Sequence, residues 1–278
     1  MKDFLNQFEM DESMKAFSVL LSRAIAKNPD LLLEIEKVKP RGDKDNSWKD
    51  LYSIFQQEDK RTRFLQNLDE ASNSYDWSPI NDIFAGWGKY GWITDTKIEA
   101  FGFWDVLPPT QEGADQKVLA VINDNYLAAL QKEVKDKTAN VAMFDEVCFC
   151  FDKEYYYACA SLLTSFIDGV LISSPANFNS DNPKTGEGAG RKVVDELRKD
   201  AYWGSPGYFN LELINYNSFI STFFARANGF EKEPQNLNRN FFHHGMSSRT
   251  VSRVDCIKLF IAYRKTLQIS SHKDTSTG

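Results

Sequence analysis

The sequence predicts an all-α protein, with a helical N-terminal region and a more clearly helical C-terminal half, on three observations. Apolar residues recur three and four apart over long stretches. Gly and Pro gather between those stretches, in polar connectors. One segment, Lys153 to Ile172, is apolar enough for a central bundle helix, with Tyr156, Ala160, Leu163, Ile167, Val170 and Leu171 on its stripe.

Taken in order, residues 1–35 read as helix, with Phe17, Leu20, Leu21 and Ile25 on one face. Lys37 to Ser47 is a connector holding Pro40 and Gly42, and Trp48 to Leu68 is helical again. Ser72 to Pro109, rich in Gly, Trp and Pro, reads as loops with short helices. A helix is expected over Asp115 to Lys135, with Leu119, Ile122, Tyr126 and Leu130 aligned. Lys132 to Asn140 (KEVKDKTAN) is charged and almost without large apolar residues, which predicts an interdomain linker. The expected division is therefore 1–135, 140–270 and a polar tail, 271–278. Ala142 to Phe151 predicts a short helix ahead of the central one. Ser173 to Ala189 reads as a loop, Arg191 to Tyr202 as a short helix, and Gly204 to Gly207 as a turn. Helices are expected over Leu211 to Ala227 and Glu233 to His244, the latter with Pro234 in its first turn and Gly245 after its end. Thr250 would start the last helix, which runs through Val254, Ile257, Phe260 and Ile261 to Leu267.

Composition narrows the class. The chain has 278 residues, 42% hydrophobic and 26% charged, which is the ordinary globular range and not that of a disordered or fibrous chain. No run of about 18 uncharged apolar residues occurs, and the start, MKDFLNQFEMDES, carries acids where an export signal has its basic and apolar parts. A cytoplasmic protein without a membrane span is the expectation. Cys148, Cys150, Cys159 and Cys256 form no CxxC pair and read as free thiols of a reducing compartment. The net charge is −6, but Arg226 to Lys273 holds nine Lys/Arg against three Asp/Glu, a balance of +6 that leaves −12 to the rest. Such asymmetry can form an anion-binding face on an acidic protein or simply a solvated helix face.

Chemistry concentrates in LNRNFFHHG, where Arg239 and Asn240 precede His243 and His244, two of the three histidines. On a helix Asn240 and His244 share a face, with Arg239 one step around. An arginine can neutralise a phosphate with a planar fork of donors, an imidazole titrates near neutral pH and moves protons, and an amide orients either. The spacing also suits a core-facing His pair at a helix end, or a cap that complements the helix dipole.

Arg239, followed by Asn240 and then His244, resembles the RxxxxH signature of HEPN domains, in which a polar residue usually follows the Arg. NRNFFHHG is similar to the NRHxxxHG string of a bacterial HEPN-like branch, and VDCIKLFIAYRKTL stands where that branch has its last helix. YYYACASLLTSFIDGVL, from Tyr155 to Leu171, resembles the branch's Y-x-A-x-x-x-L-L-x-x-I-D-G helix, and Gly91-Trp92-Ile93 matches a Gly-Trp pair before it. The likeness covers roughly residues 85–270, best over 142–268. It implies a helical N-terminal region followed by a HEPN-like four- to five-helix bundle that dimerises with a composite active site. It also implies metal-independent endoribonuclease activity leaving 2′,3′-cyclic phosphate and 5′-hydroxyl ends, without a cofactor, in phage defence, abortive infection or toxin–antitoxin growth control. Arg239 would then hold the scissile phosphate, His244 would act on the 2′-hydroxyl or the 5′-oxygen, and Asn240 would orient them. His243 and Asp168 are supporting candidates, and Arg249 and Arg253 candidates for binding RNA. Asp168, the acid of the IDG match, either faces the cleft or binds a backbone or Arg partner. The sequence departs from the branch in having Asn240 after the Arg. It has Met246 where some HEPN toxins carry a Tyr modified by a partner nucleotidyltransferase, so that form of regulation is not implied. The alternative is a catalytically silent HEPN-like module binding RNA or protein. An antitoxin or regulatory protein is a further expected partner, and a third reading makes the chain a regulatory subunit whose acidic N-terminal part engages another protein.

Other motifs carry less. Gly86 to Gly91 fits GxGxxG but has no strand before it, so no dinucleotide site is expected. Gly186 to Lys192 could set backbone N–H groups near a phosphate but, lacking a strand before it and the P-loop spacing, reads as a flexible loop. Tyr155, Tyr156 and Tyr157 read as core and interface aromatics rather than a base-stacking platform. The His pair and scattered Cys make no zinc set.

Overall fold

The computed structural model describes residues 78–95, 97–98, 103–199, 208–226 and 228–270. The elements expected over 1–35, 37–47 and 48–68, the turn at 204–207 and the tail at 271–278 lie outside the described residues. Among the described residues every regular element is a helix and none is a strand, so the all-α expectation holds.

Side-chain caps set the boundaries of the early helices. After α1 (Ser78–Lys89) come α2 (Gln111–Leu119), α3 (Asp124–Lys137) and α4 (Val141–Asp152). Thr110, Asn123 and Asn140 each accept a backbone N–H of the helix that follows, at 3.1, 2.9 and 3.1 Å. The cap at Asn123 is why the single helix expected from Asp115 to Lys135 is two. The expected linker is also absent. Lys132 to Lys137 continues α3, and buried Thr138 donates to the Val134 carbonyl at 2.8 Å and pairs with the Tyr263 hydroxyl at 3.0 Å. Its charges lie mostly on an outer face, where Glu133 meets Lys97 and Lys137, each at 2.9 Å, and Glu133 also lies 3.6 Å from buried Arg264. The boundary drawn between 135 and 140 therefore falls inside one compact unit, residues 78–204 with 211–278.

Two long helices form the centre, α5 (Tyr156–Ser173) and, at the C-terminal end, α10 (Arg253–Ser270). By length and composition α5 alone among the described helices could cross a membrane. One face of it is core, with Cys159, Ala160, Leu163, Ile167 and Leu171 fully buried. Between the two lie α6 (Pro175–Phe178), α7 (Gly186–Leu197), α8 (Tyr208–Phe223) and α9 (Arg239–His243). Gly186 to Gly190, expected as a flexible loop, is the first turn of α7. A Cβ on Gly190 would run into the Ile220 side chain, so the glycine permits close approach of α7 to α8. The glycines of the GxGxxG match serve packing too. Gly86 and Gly88 lie inside α1, and a Cβ on Gly88 would meet the backbone of Asn215 and Phe219. All four cysteines are free, Cys159 and Cys256 fully buried.

The last helix is buried on every side from Asp255 to Thr266, charges included. It starts at a reciprocal cap and not at Thr250. The Asp255 N–H donates to Ser252 Oγ at 3.3 Å, while Asp255 Oδ2 accepts from the Ser252 N–H and hydroxyl at 2.9 and 2.8 Å. Arg249 adds two bonds to the same carboxylate at 2.9 and 3.0 Å. Removing one partner of such a buried network leaves the other charge stranded. Asp255→Ala is therefore expected to lower stability by about 3–5 kcal/mol, measured by urea unfolding. A smaller gain is available after α4, where Glu154 takes a left-handed φ of 61°. There the Tyr155 and Glu154 N–H groups close the helix on the Cys150 and Phe151 carbonyls, at 2.8 and 3.1 Å. Glu154→Gly removes the Cβ penalty of that conformation and should raise stability by roughly 0.5–1 kcal/mol in the same assay.

Candidate active site

The motif helix is far shorter than its sequence suggests, because Asn238 starts it. Its Oδ1 accepts from the N–H groups of Asn240 and Phe241 at 3.0 and 3.2 Å, so α9 covers only Arg239–His243. Glu233, expected in that helix, instead binds the segment beyond it, accepting from the Ser248 N–H and hydroxyl at 2.8 and 2.7 Å and from the Ser247 hydroxyl. The end falls where expected. Gly245, at φ +67°, lets Met246 N–H reach the Phe241 carbonyl at 2.9 Å and Gly245 N–H the Phe242 carbonyl at 3.2 Å. The two Asn side chains also close the end of α8. Asn238 Nδ2 donates to the Thr222 and Ala225 carbonyls, each at 3.1 Å, and Asn240 Nδ2 to those of Ala225 and Phe224 at 2.8 and 3.3 Å. Phe224 and Ala225 follow the last residue of α8, where carbonyls lack an intrahelical partner, and the Thr222 carbonyl also accepts the Ala225 N–H at 3.3 Å.

Arg239 sits over this clamp, about one-third exposed. Its contacts are long: 3.5 Å to Asp168 Oδ2 and 3.3 Å to Asn240 Oδ1, while its buried Nε has no hydrogen-bond partner. Asp168 projects from α5 and also accepts the Gly186 N–H, which starts α7, at 2.9 Å. The acid in the middle of an apolar helix thus has both a backbone and an arginine partner. His243, four residues from Arg239, shares its face of α9. Desolvation on its protein side lowers the His243 pKa, the Arg239 charge lowers it further and Asp168 opposes both. His244 is exposed, its ring edge-on to Phe230 at 5.7 Å. Phe230 in turn packs on Phe241 at 5.1 Å and holds a φ of 60°, uncommon for a bulky residue.

Arg239, Asn240, His243 and Asp168 therefore form one cluster, with His244 at the exposed end of the same helix. Arg249 stands apart, engaged bidentately by Asp255. Arg253 is half exposed, 3.6 Å from Asp124 and over the Phe151 ring. The basic C-terminal segment is largely neutralised from within, since Arg249, Lys258, Arg264 and Lys265 pair with Asp255, Asp115, Asp95 and Glu212. Its sequence balance of +6 is therefore not a free surface charge. No family model, no curated protein and no solved structure matches the chain.

Sequence reasoning missed Asn238 and Phe230. An Asn directly before the Arg is a cap signal that LNRN carries in plain view. Nothing local announces Phe230, whose role comes from packing alone. The charge arrangement predicts opposite shifts in the His243 titration followed by NMR. Replacing Arg239 by Gln removes a repelling cation and should raise the midpoint. Asp168→Asn removes the opposing anion and should lower it.

Proposed function

We propose that the chain is a metal-independent endoribonuclease of HEPN type, with Arg239 as the phosphate-binding group. The observation that carries the reading is the state of Arg239. Its guanidinium is half-buried, held only by long contacts, and next to an imidazole whose pKa is lowered. An arginine in this state has donors to give to an anion, and the partly dry setting strengthens the interaction. A protein using Arg239 only as a structural strut would be expected to bind it as tightly as Asp255 binds Arg249.

On this reading the RNA 2′-oxygen attacks the adjacent phosphorus while the bond to the 5′-oxygen breaks, giving a 2′,3′-cyclic phosphate and a 5′-hydroxyl. His243, whose pKa lies below its ordinary value, takes the proton from the 2′-hydroxyl. His244 returns a proton to the departing 5′-oxygen. Arg239 stabilises the charge that builds on the non-bridging oxygens, Asn240 keeps α9 seated, and Asp168 holds Arg239 in the cluster. The working form is a homodimer, and the setting is phage defence or growth control with an antitoxin or regulatory partner. The competing reading, a silent RNA- or protein-binding module, draws on Asn240, whose amide is spent on the Phe224 and Ala225 carbonyls.

Cleavage of total RNA and tRNA in EDTA, with end-group analysis, tests the proposal. Arg239→Ala should slow cleavage by about 10²–10³-fold, and His243→Ala and His244→Ala each by about 10²–10⁴-fold. The rate should fall as pH drops through the lowered His243 pKa, where the base becomes protonated. A substrate with sulfur at the scissile 5′ position, a leaving group that needs no proton, should restore His244→Ala but not His243→Ala. Cleavage that survives all three substitutions, or none by the wild type, would leave only the binding-module reading.

A further inference from the structure

Tyr157 and Phe242 form an aromatic surface for which the cleavage chemistry has no use. Tyr157 lies in the first turn of α5 and is half exposed. Its ring stacks on Phe242 with centroids 6.0 Å apart and planes 28° from parallel. Phe242 meets His243 edge-on at 5.1 Å, and the charges of Arg239 and Asp168 act on His243. A strip of side chains therefore runs from Tyr157 through Phe242 and His243 to the loosely held guanidinium.

The strip is fixed in place. The Tyr157 hydroxyl donates to the Arg249 carbonyl at 2.9 Å, and the Arg249 side chain is locked to Asp255. Phe242 is held by α9, which Asn238 and Gly245 close at its two ends. Aromatic planes held rigid lose little entropy on binding a flat partner. They accept any base, because every base has a π-face. A cation at one end and stacked rings at the other match a nucleotide, with its phosphate on Arg239 and its base on the rings. A base inside a duplex has both faces covered by its neighbours, so only an unpaired strand offers one.

We propose that Tyr157 and Phe242 are a base-stacking shelf selecting single-stranded RNA, with the stacked base next to the phosphate held by Arg239. This deepens the ribonuclease reading and rests on it for the placement of that phosphate.

The test is the affinity of the full chain for a fluorescein-labelled 2′-O-methyl RNA strand, which cannot be cleaved, free and annealed to its complement. The wild type should bind the free strand more tightly than the duplex. Tyr157→Leu should weaken binding of the free strand by about 5- to 100-fold. Tyr157→Phe and Tyr157→Trp, which keep a ring, should stay within about threefold of the wild type, and this separates lost stacking from lost folding. Equal affinity of Tyr157→Leu and wild type, a wild type that binds neither form, or a duplex bound as tightly as the single strand would overturn the shelf. Cleavage of natural RNA by the same variants separates the two proposals. A wild type that never cleaves, yet binds in the order Trp, Phe, Leu, keeps the shelf and sinks the nuclease. Normal cleavage with KM unchanged in Tyr157→Leu keeps the nuclease and sinks the shelf.

Discussion

The interior of this fold depends on meeting four charges that its last helix carries into the core. Asp255, Lys258, Arg264 and Lys265 are each less than a tenth exposed. A buried charge without a partner costs several kcal/mol, so α10 can occupy the centre only if its neighbours present counter-charges in register. They do so from four directions. Asp255 meets Arg249 just before the helix, and Lys258 meets Asp115 of α2 at 2.6 Å under the Trp92 ring. Arg264 meets Asp95 and, at 3.6 Å, Glu133 of α3, and Lys265 meets Glu212 of α8. Apolar packing alone would tolerate a turn's slip along α10. These pairs would not, since a slip strands several charges together.

The same constraint reaches the candidate site. Asp255 locks Arg249, the Arg249 carbonyl receives Tyr157, and Tyr157 backs Phe242 on α9. From the other side Glu233 ties down Ser247 and Ser248, and the paired Asn side chains join α9 to the end of α8. A helix of five residues has almost no stability of its own. Its position comes from side-chain bonds at each end, which is how a short segment can hold a cation and two imidazoles in a defined relation.

This explains what could be read from the sequence and what could not. The core helix over 153–172 was legible because its buried face follows a 3.6-residue period, and α4 likewise. The depth of α10 was not, because a helix buried on all sides shows no polar face, and its Lys and Arg imitated a surface. Counting those charges suggested an anion-binding patch, whereas the counter-charges lie more than a hundred residues away at Asp95, Asp115 and Glu133. The linker expected at Lys132 to Asn140 failed for the mirror reason. Its lysines are a true surface, but Val134 and Thr138 beneath them are core and Glu133 reaches Arg264. The candidate cluster was legible as residue types, and Gly245 as the end of its helix. Its start was misplaced by taking Pro234 as a first-turn signal and passing over Asn238.

The contrast between Arg239 and Arg249 gives a way to tell function from structure within one loop-rich region. Both belong to the basic segment, both have an acid nearby, and both were candidates from sequence. Arg249 gives two short bonds from one nitrogen to a carboxylate that is itself buried and capped, so although its Nη1 has no partner, drawing the guanidinium to a ligand would strand Asp255. Arg239 faces an acid whose other oxygen is already committed to starting α7, at a distance where the pair is only loosely joined. A ligand phosphate can therefore take Arg239 without leaving Asp168 unpartnered. The cost of engaging an anion is thus lower at Arg239, whose contacts are 3.3 and 3.5 Å, than at Arg249, whose bonds to a buried carboxylate are 2.9 and 3.0 Å.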